Sequence, residues 1–372
     1  MAKSSVAEQP VSGEKYGFDA IRGTQAGREF YVAMCPWKII PKLFIFNDYD
    51  IPPELRAQRT LRETRIPAIK DYILNNLTDY TFSSLTASVD GSMDFVPFPS
   101  SGKDGKLGRL YINMDSRLLI NDGQHRRAAI ERALKEEPEV GDESIAVVFF
   151  IDRGLERCQQ MFADLNRYAI RPSKSLGLLY DHRDDKAQLA KRVVLQSETF
   201  NNLVEMERSN LSTRSRKLFT LSSIYSANTA LLDGKELKSI EEAAEICAEY
   251  WDNVGRNIPE WGFVRESKMT SGDVRQDFIH SHSIVLQALG HIGSDLINFS
   301  KNSWKKRLTK LKNIDWSRSN IALWEGRALN GGRVSKASNN IALTTILIKQ
   351  NLDIELSKDE QRIDKAFKDS KI

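Results

Sequence analysis

The run Leu118-Leu119-Ile120-Asn121-Asp122-Gly123-Gln124-His125-Arg126-Arg127-Ala128-Ala129-Ile130 is the part of this 372-residue chain best equipped for chemistry. Its order predicts an apolar strand, a tight turn and a helix start. Asp122 is placed as an N-cap, its carboxylate accepting backbone N–H groups of the first turn. Gly123 removes side-chain bulk where a ligand would approach the backbone. His125, Arg126 and Arg127 then crowd a helix end where the dipole disfavours cations by roughly 0.3–1 kcal/mol each. A bound anion would supply the compensating charge, so Asp122, Gly123, Gln124, His125, Arg126 and Arg127 form a candidate phosphate or nucleotide site. The alternative is that Asp122 alone caps the helix and the arginines extend into solvent. Asp122 and His125 are the candidates for catalysis, but a histidine at a helix start is as readily a hydrogen-bonding residue. No Ser-His-Asp set can be assembled from spacing.

Other residues carry weaker signals. Lys301 to Lys312 holds six basic residues and no acidic one, whereas Ile240 to Tyr250 is acidic. Trp304, Leu308 and Leu311 recur at helical spacing, which predicts an amphipathic helix with a basic outer face. Lys305, Lys306, Arg307 and Lys310 on that face are candidate DNA contacts, with Arg318, Arg327, Arg333 and Lys336 following. A second cluster, Arg208, Arg214, Arg216 and Lys217, precedes a helix and offers Arg214, Arg216 and Lys217 for the same role. Solvated charge explains both clusters equally well. Cys35, between Arg28 and Lys38, is a candidate redox-sensitive thiol if those cations favour thiolate, and otherwise a half-buried strand residue. Cys158 and Cys247 fall on apolar helix faces. His280-Ser281-His282 has the wrong helical spacing for a shared metal, and His282 reads as a hydrogen-bonded core residue. Gly331-Gly332-Arg333 lacks the Lys-Ser/Thr of a P-loop, so no metal and no Walker-type site is expected.

These residues need elements to hold them. Phe30–Met34 and Lys38–Phe46, interrupted by Pro36 and Pro41, read as edge strands. A helix is expected to start near Pro53, and another at Pro67, with Ile66, Ile69, Ile73 and Leu77 on one face. Phe82–Val89 reads as a strand closed by Asp90-Gly91. Leu110–Met114 and Leu118–Asn121 read as a hairpin about Asp115-Ser116. The helix after the turn should span about Gln124–Lys135, ahead of a buried strand, Ile145–Ile151, and a helix carrying Leu155, Cys158, Phe162 and Leu165. Beyond residue 175 the pattern is helical throughout: Leu189–Leu203, Leu218–Leu232, Ile240–Val254, Val274–Ile297 and Ile341–Gln350. Ser239-x-x-Glu242 is a capping box. The switch from mixed to helical pattern puts a domain boundary near 175–185.

Composition agrees with two folded domains. An apolar fraction of 41% with 32 aromatic residues argues against wholesale disorder. No run approaches a membrane span, the first residues lack a signal-peptide core, and three scattered cysteines give no disulfide framework. A reducing cytoplasm is the expected compartment. The net charge of +4 is too small to hold a polyanion through a diffuse field, so any nucleic-acid contact must be local.

The pentapeptide Asp122–Arg126, between an apolar strand and an alanine-rich helix, resembles the signature of the DGQHR-domain family, and within it the DndB proteins of bacterial DNA phosphorothioation (DNA sulfur modification). Gln58-Arg59, Arg65–Ile69, Phe162–Asn166 with Ser173–Leu176, Ile314–Trp316 and Trp324–Arg327 fit the same resemblance, which spans roughly residues 20–350. It implies a ParB/sulfiredoxin-like mixed α/β domain over 21–180; with the sequence pattern, which reads 1–20 as a flexible arm and 181–372 as an all-α domain, the expected fold is α+β. The resemblance adds Asn166, Arg167 and Lys174 as candidates for a second wall of the nucleotide site, with Ser173 capping a helix after Pro172; the alternative is that Asn166 and Arg167 simply close one helix and Ser173 starts another. The implied function is a DNA-binding transcriptional repressor of a phosphorothioation gene cluster, with double-stranded promoter DNA as partner. Other phosphorothioation proteins and a second copy of the chain are further expected partners. The alternative is a nucleotide hydrolase built on the pentapeptide, with ATP or another nucleotide as its ligand. A protein–protein scaffold is a third reading.

Overall fold

The computed structural model describes residues 14–44, 63–99, 105–151, 160–161, 163–165 and 172–370. It divides into two compact units, Met1–Ile170 and Arg171–Ile372. The helix expected near Pro53 and most of the one carrying Leu155 to Leu165 lie outside the described residues.

The first unit is built on a seven-stranded mixed sheet. Its strands are β1 (Lys15–Gln25), β2 (Arg28–Pro36), β3 (Leu85–Asp90), β4 (Met93–Pro97), β5 (Leu107–Asn113), β6 (Arg117–Asp122) and β7 (Ser144–Ile151). Their order is β4-β5-β1-β2-β7-β3-β6. The β3–β7 pair is parallel and the remaining ladders are antiparallel. Three expectations change here. Residues 15–20, expected in a flexible arm, are the first half of β1, paired with β5. β2 is not an edge strand but lies between β1 and β7, because Pro36 sits at its last position, where a missing donor costs little. Lys38–Leu43, expected as strand, is helical (Trp37–Ile39 and Ile40–Leu43), with Pro41 in the first turn.

The expected hairpin is also absent. β5 and β6 are joined by Met114–Ser116 yet stand five places apart in the sheet order. Five interstrand steps cover about 24 Å in a flat sheet, and the link can reach at most about 14 Å. The sheet must therefore curl until its two ends approach. The links confirm this: a Cβ on Gly91, in the β3–β4 link, would lie 2.3 Å from Ser116 Oγ in the β5–β6 link. Helices Ile66–Leu74 and Gln124–Glu136 pack on each other. Ile66, Ile73, Ala129, Ile130 and Ala133 seal one core cluster with Val147 and Phe149 of β7. The helix from Gln124 is thus anchored at the end of β6, and so is the turn between them.

The second unit is helical around a core rich in tryptophan, including Trp251, Trp261, Trp304, Trp316 and Trp324. Side-chain oxygens of Ser173, Asp184, Thr220, Ser239, Thr270 and Ser357 each accept from a first-turn N–H, so the helix starts are set by local sequence. It is not wholly α: Val204–Glu205 pairs with Phe219–Thr220, and Leu329–Asn330 with Arg333–Val334. The expected helix Val274–Ile297 is interrupted. Ser271–Asp277 and Ser283–Leu296 are separate, because Phe278 turns extended (φ −123°, ψ 152°) and bridges Ser317. Segment 316–318 satisfies the backbone groups at the break: Ile279 N–H donates to Trp316 O (3.1 Å) and Arg318 N–H to Asp277 O (2.7 Å).

Candidate functional site

The turn between β6 and the helix Gln124–Glu136 is held differently from the sequence expectation. The N-cap is Gly123, in the left-handed region at φ 101°, and it makes no side-chain cap. Only glycine suits this position. A Cβ there would lie 2.4 Å from Leu85 Cδ2 and 2.9 Å from an Arg126 guanidinium nitrogen. Asp122 is not the cap: it closes β6, and its Oδ2 accepts from Arg126 at 2.7 Å. The other Arg126 donors reach Ser83 Oγ (2.7 Å) and Ser84 O (3.0 Å), tying the turn to the segment before β3. Arg127 pairs with Glu131 at 2.8 Å. Gln124 donates its side-chain amide back to Ile120 O at 3.1 Å.

The arginines therefore do not extend into solvent. Their side chains are 21% and 12% exposed, and the Nε–H of each is buried without an acceptor among the described residues. Among the described residues the N-cap, Gly123, offers no side chain to accept the first helix N–H groups. The end of the helix thus keeps a surplus of donors, and an anion is the group that such an arrangement satisfies.

Beside the turn lies a cavity of about 520 Å³ lined by Arg65, Tyr72, Thr81, Phe82, Ser83 and Arg126, among others. Two guanidiniums and two aromatic rings are chemically suited to a phosphate and a base. Sequence reading passed over Tyr72, Phe82 and Ser83, because nothing local links residues 65–83 to Arg126. Asn166 and Arg167 lie outside the described residues. Lys174 belongs to the second unit, where its ammonium stands 5.3 Å above the Tyr225 ring and Ser173 caps its helix.

The two basic clusters differ sharply. Lys305 pairs with Glu249 at 2.7 Å, and Lys301 shares that carboxylate at 2.9 Å. Their ammoniums hold the Glu249 carboxyl below its usual range. Lys310 pairs with Asp353, and Arg307 donates to the Asp353 carbonyl while lying 5.6 Å over the Phe299 ring. Of the four expected contacts only Lys306 has an unengaged side chain among the described residues. In the other cluster Lys217 donates to Asn202 O, but Arg214 and Arg216 are exposed and carry no side-chain partner among the described residues. Their loop is rigid for a visible reason. The Arg275 guanidinium donates to the carbonyls of Ser212, Thr213, Ser215 and Lys217. An exposed cation pair on a clamped loop is suited to backbone phosphates.

A family model for DndB, DNA-sulfur modification-associated, matches residues 18–355. The chain belongs to that family. The match runs from β1 in the first unit to the segment after helix Ser338–Asn351 in the second. No curated protein and no solved structure matches the chain.

Two further readings meet the geometry. Cys35 is fully buried, and burial pushes its thiol up to about 12, the opposite of the activation expected from Arg28 and Lys38. The strand alternation turns Cys35 to the core and leaves Met34 exposed. Cys247 is likewise buried and raised to about 12; Cys158 is outside the described residues. His280 and His282 lie in the interruption between two helices, not within one. His280 Nδ1 accepts from Trp261 Nε1 at 2.9 Å, and His282 Nε2 donates to Arg275 O at 2.9 Å. No helix among the described residues is long and apolar enough to cross a membrane.

Proposed function

We propose that this DndB-family chain is a DNA-binding repressor of a DNA phosphorothioation gene cluster, acting on double-stranded DNA of its own promoter. Family membership supports the biological setting. The observation that carries DNA contact is the exposed Arg214 and Arg216 pair on a loop held rigid by Arg275. Because Lys305 and Lys310 are ion-paired and Arg307 is held by the Asp353 carbonyl and the Phe299 ring, this loop is the principal contact and Lys306 a secondary one. A gel-shift series on the chain's own upstream DNA, with and without ATP, tests the proposal. Specific retardation without ATP supports it; no preference for promoter over unrelated DNA sinks it.

The second reading is nucleotide binding, with hydrolysis, at the Asp122–Arg127 turn, and the 520 Å³ cavity favours it. Arg65 and Arg126 would hold phosphate and Tyr72 or Phe82 the base, in keeping with the ParB/sulfiredoxin-like domain that the sequence resemblance implies. Asp122, already paired with Arg126, would act by orienting that guanidinium. Equilibrium dialysis with labelled ATP decides binding, and phosphate release decides hydrolysis.

A further inference from the structure

A cavity of about 360 Å³ in the second unit opens where the expected helix Val274–Ile297 is interrupted. Among the described residues no carboxylate lines it, although Arg275, Arg318 and Lys336 all do. The 14-residue helix Ser283–Leu296 begins at its wall, and its N-cap, His282, makes no side-chain cap. His282 O accepts from Val285 N–H (3.0 Å) and Leu286 N–H (3.2 Å), which leaves the Ser283 and Ile284 N–H groups without an acceptor among the described residues, Ser283 itself lining the cavity. Helix Leu221–Leu231 also starts here, with Thr220 and Ser223 in the lining.

An independent observation says that something is missing. Ser281 lines the cavity and is 5% exposed, yet its hydroxyl has no hydrogen-bond partner among the described residues. A buried hydroxyl left unsatisfied is destabilising, so a native fold needs a reason to keep one. The cations point the same way. Lys336 has neither ion pair nor side-chain hydrogen bond among the described residues. Arg318 uses one donor on Gly332 O at 3.1 Å. Arg275 is already engaged by its loop carbonyls, and so acts as scaffold.

We infer that this cavity is a phosphate-binding site, built from the start of helix Ser283–Leu296, Ser281, Arg318 and Lys336. One oxyanion would accept from the helix N–H groups and the Ser281 hydroxyl, and its charge would be matched by Arg318 and Lys336. The phosphate is that of a small phosphate ester or of a DNA backbone, whose approach the neighbouring Arg214–Arg216 loop would favour. The site shares no residue with the Asp122–Arg127 turn, and it does not depend on promoter recognition.

The test uses the full chain carrying Arg126→Ala, so that the turn is silenced, with inorganic phosphate titrated calorimetrically. Saturable binding is expected in this background. Adding Ser281→Ala, Arg318→Gln or Lys336→Gln should each weaken it roughly tenfold or more, the weight of a charge-assisted hydrogen bond. Lys365→Gln, an exposed lysine away from the cavity lining, should leave it unchanged. Lys336 is exposed, so its variant remains informative even if Ser281→Ala fails to fold. Absence of phosphate binding in the Arg126→Ala chain overturns the site, as does undiminished binding in Lys336→Gln and Arg318→Gln. A duplex with unphosphorylated ends separates the two sources. Displacement of phosphate assigns the site to the DNA backbone, and coexistence assigns it to a small ester. A chain that binds phosphate here but shows no promoter preference keeps the site and loses the repressor reading.

Discussion

Replacing Arg214 and Arg216 together with Ala should flatten the slope of log K against log salt by up to about 1.8 units, because each phosphate contact contributes about 0.9. The corresponding triple variant Lys305→Ala/Lys306→Ala/Arg307→Ala should flatten it by only about 0.9. The difference follows from how the side chains are engaged. Lys305 already faces the Glu249 carboxylate at 2.7 Å, and Arg307, which keeps its charge, is held by the Asp353 carbonyl and the Phe299 ring, so neither side chain is free to neutralise a DNA phosphate. Lys306 is the one unengaged cation of the three among the described residues. Over a fourfold rise in salt, a slope smaller by 1.8 means roughly a twelvefold smaller loss of affinity, well within the reach of fluorescence anisotropy. The assay is a promoter duplex titrated at several salt concentrations with wild type and both variants. Because phosphate contacts position the protein without reading bases, promoter preference should survive in part. If the triple variant loses nearly three units while the loop variant keeps the wild-type slope, the reasoning from side-chain engagement is wrong.

Three further outcomes follow from the geometry. Arg126→Ala removes bonds to Asp122, Ser83 and Ser84, and should cost about 1–3 kcal/mol in chemical denaturation. It should also abolish any rise in melting temperature with ATP, whereas a retained rise would move the nucleotide site elsewhere. Cys35, with its thiol pushed up to about 12, should label with iodoacetamide no faster than Cys247 in the native chain; preferential labelling read by mass spectrometry contradicts its burial. Burial, opposed by its bond to Arg275 O and reinforced by Arg318, His280 and Lys336, lowers His282 to about 4, so the unfolded chain binds the extra proton between about 6.5 and 4. Stability from this group is complete above about 6.5 and should fall by up to about 1.4 kcal/mol per pH unit down to about 4, a slope that His282→Gln should reduce and whose persistence would refute the assignment.

Local signals in the sequence are those that depend on a few neighbouring residues, and these were legible. Pro67 does stand in the first turn of Ile66–Leu74, the helix after Gly123 runs Gln124–Glu136, and β7 covers Ser144–Ile151. Pairing was not legible. Asp115-Ser116 makes a turn, but a turn cannot announce that β5 goes to β1 and β6 to β3. Cys35 could have been read correctly: the alternation that buries Ala33 and Cys35 and exposes Met34 is in the strand pattern, and it outweighs flanking cations at sequence positions 28 and 38. Charge raised the same difficulty in another form. The acidic run 240–250 and the basic run 301–312 are segregated along the chain, yet Glu249 brings them together and engages two of the six cations that the second run seemed to offer.

The interruption at Phe278–His282 shows what such long-range pairing makes possible. The apolar period runs on through Val274, Phe278, Val285 and Leu289, so sequence alone predicts one helix with His280 and His282 on different faces. Bridging between Phe278 and Ser317 breaks that helix and exposes a new N-terminus. The same pairing fixes Arg318 through its backbone bond to Asp277. A cation and a free helix start are thereby delivered to one cavity by a single tertiary contact. Neither residue type nor spacing marks such a site in advance, because its parts become neighbours only when the helix fails to continue. The Asp122–Arg127 turn is the opposite case: strand, glycine and arginines are contiguous, so its chemistry can be suspected from six letters, although its true cap and its aromatic wall cannot.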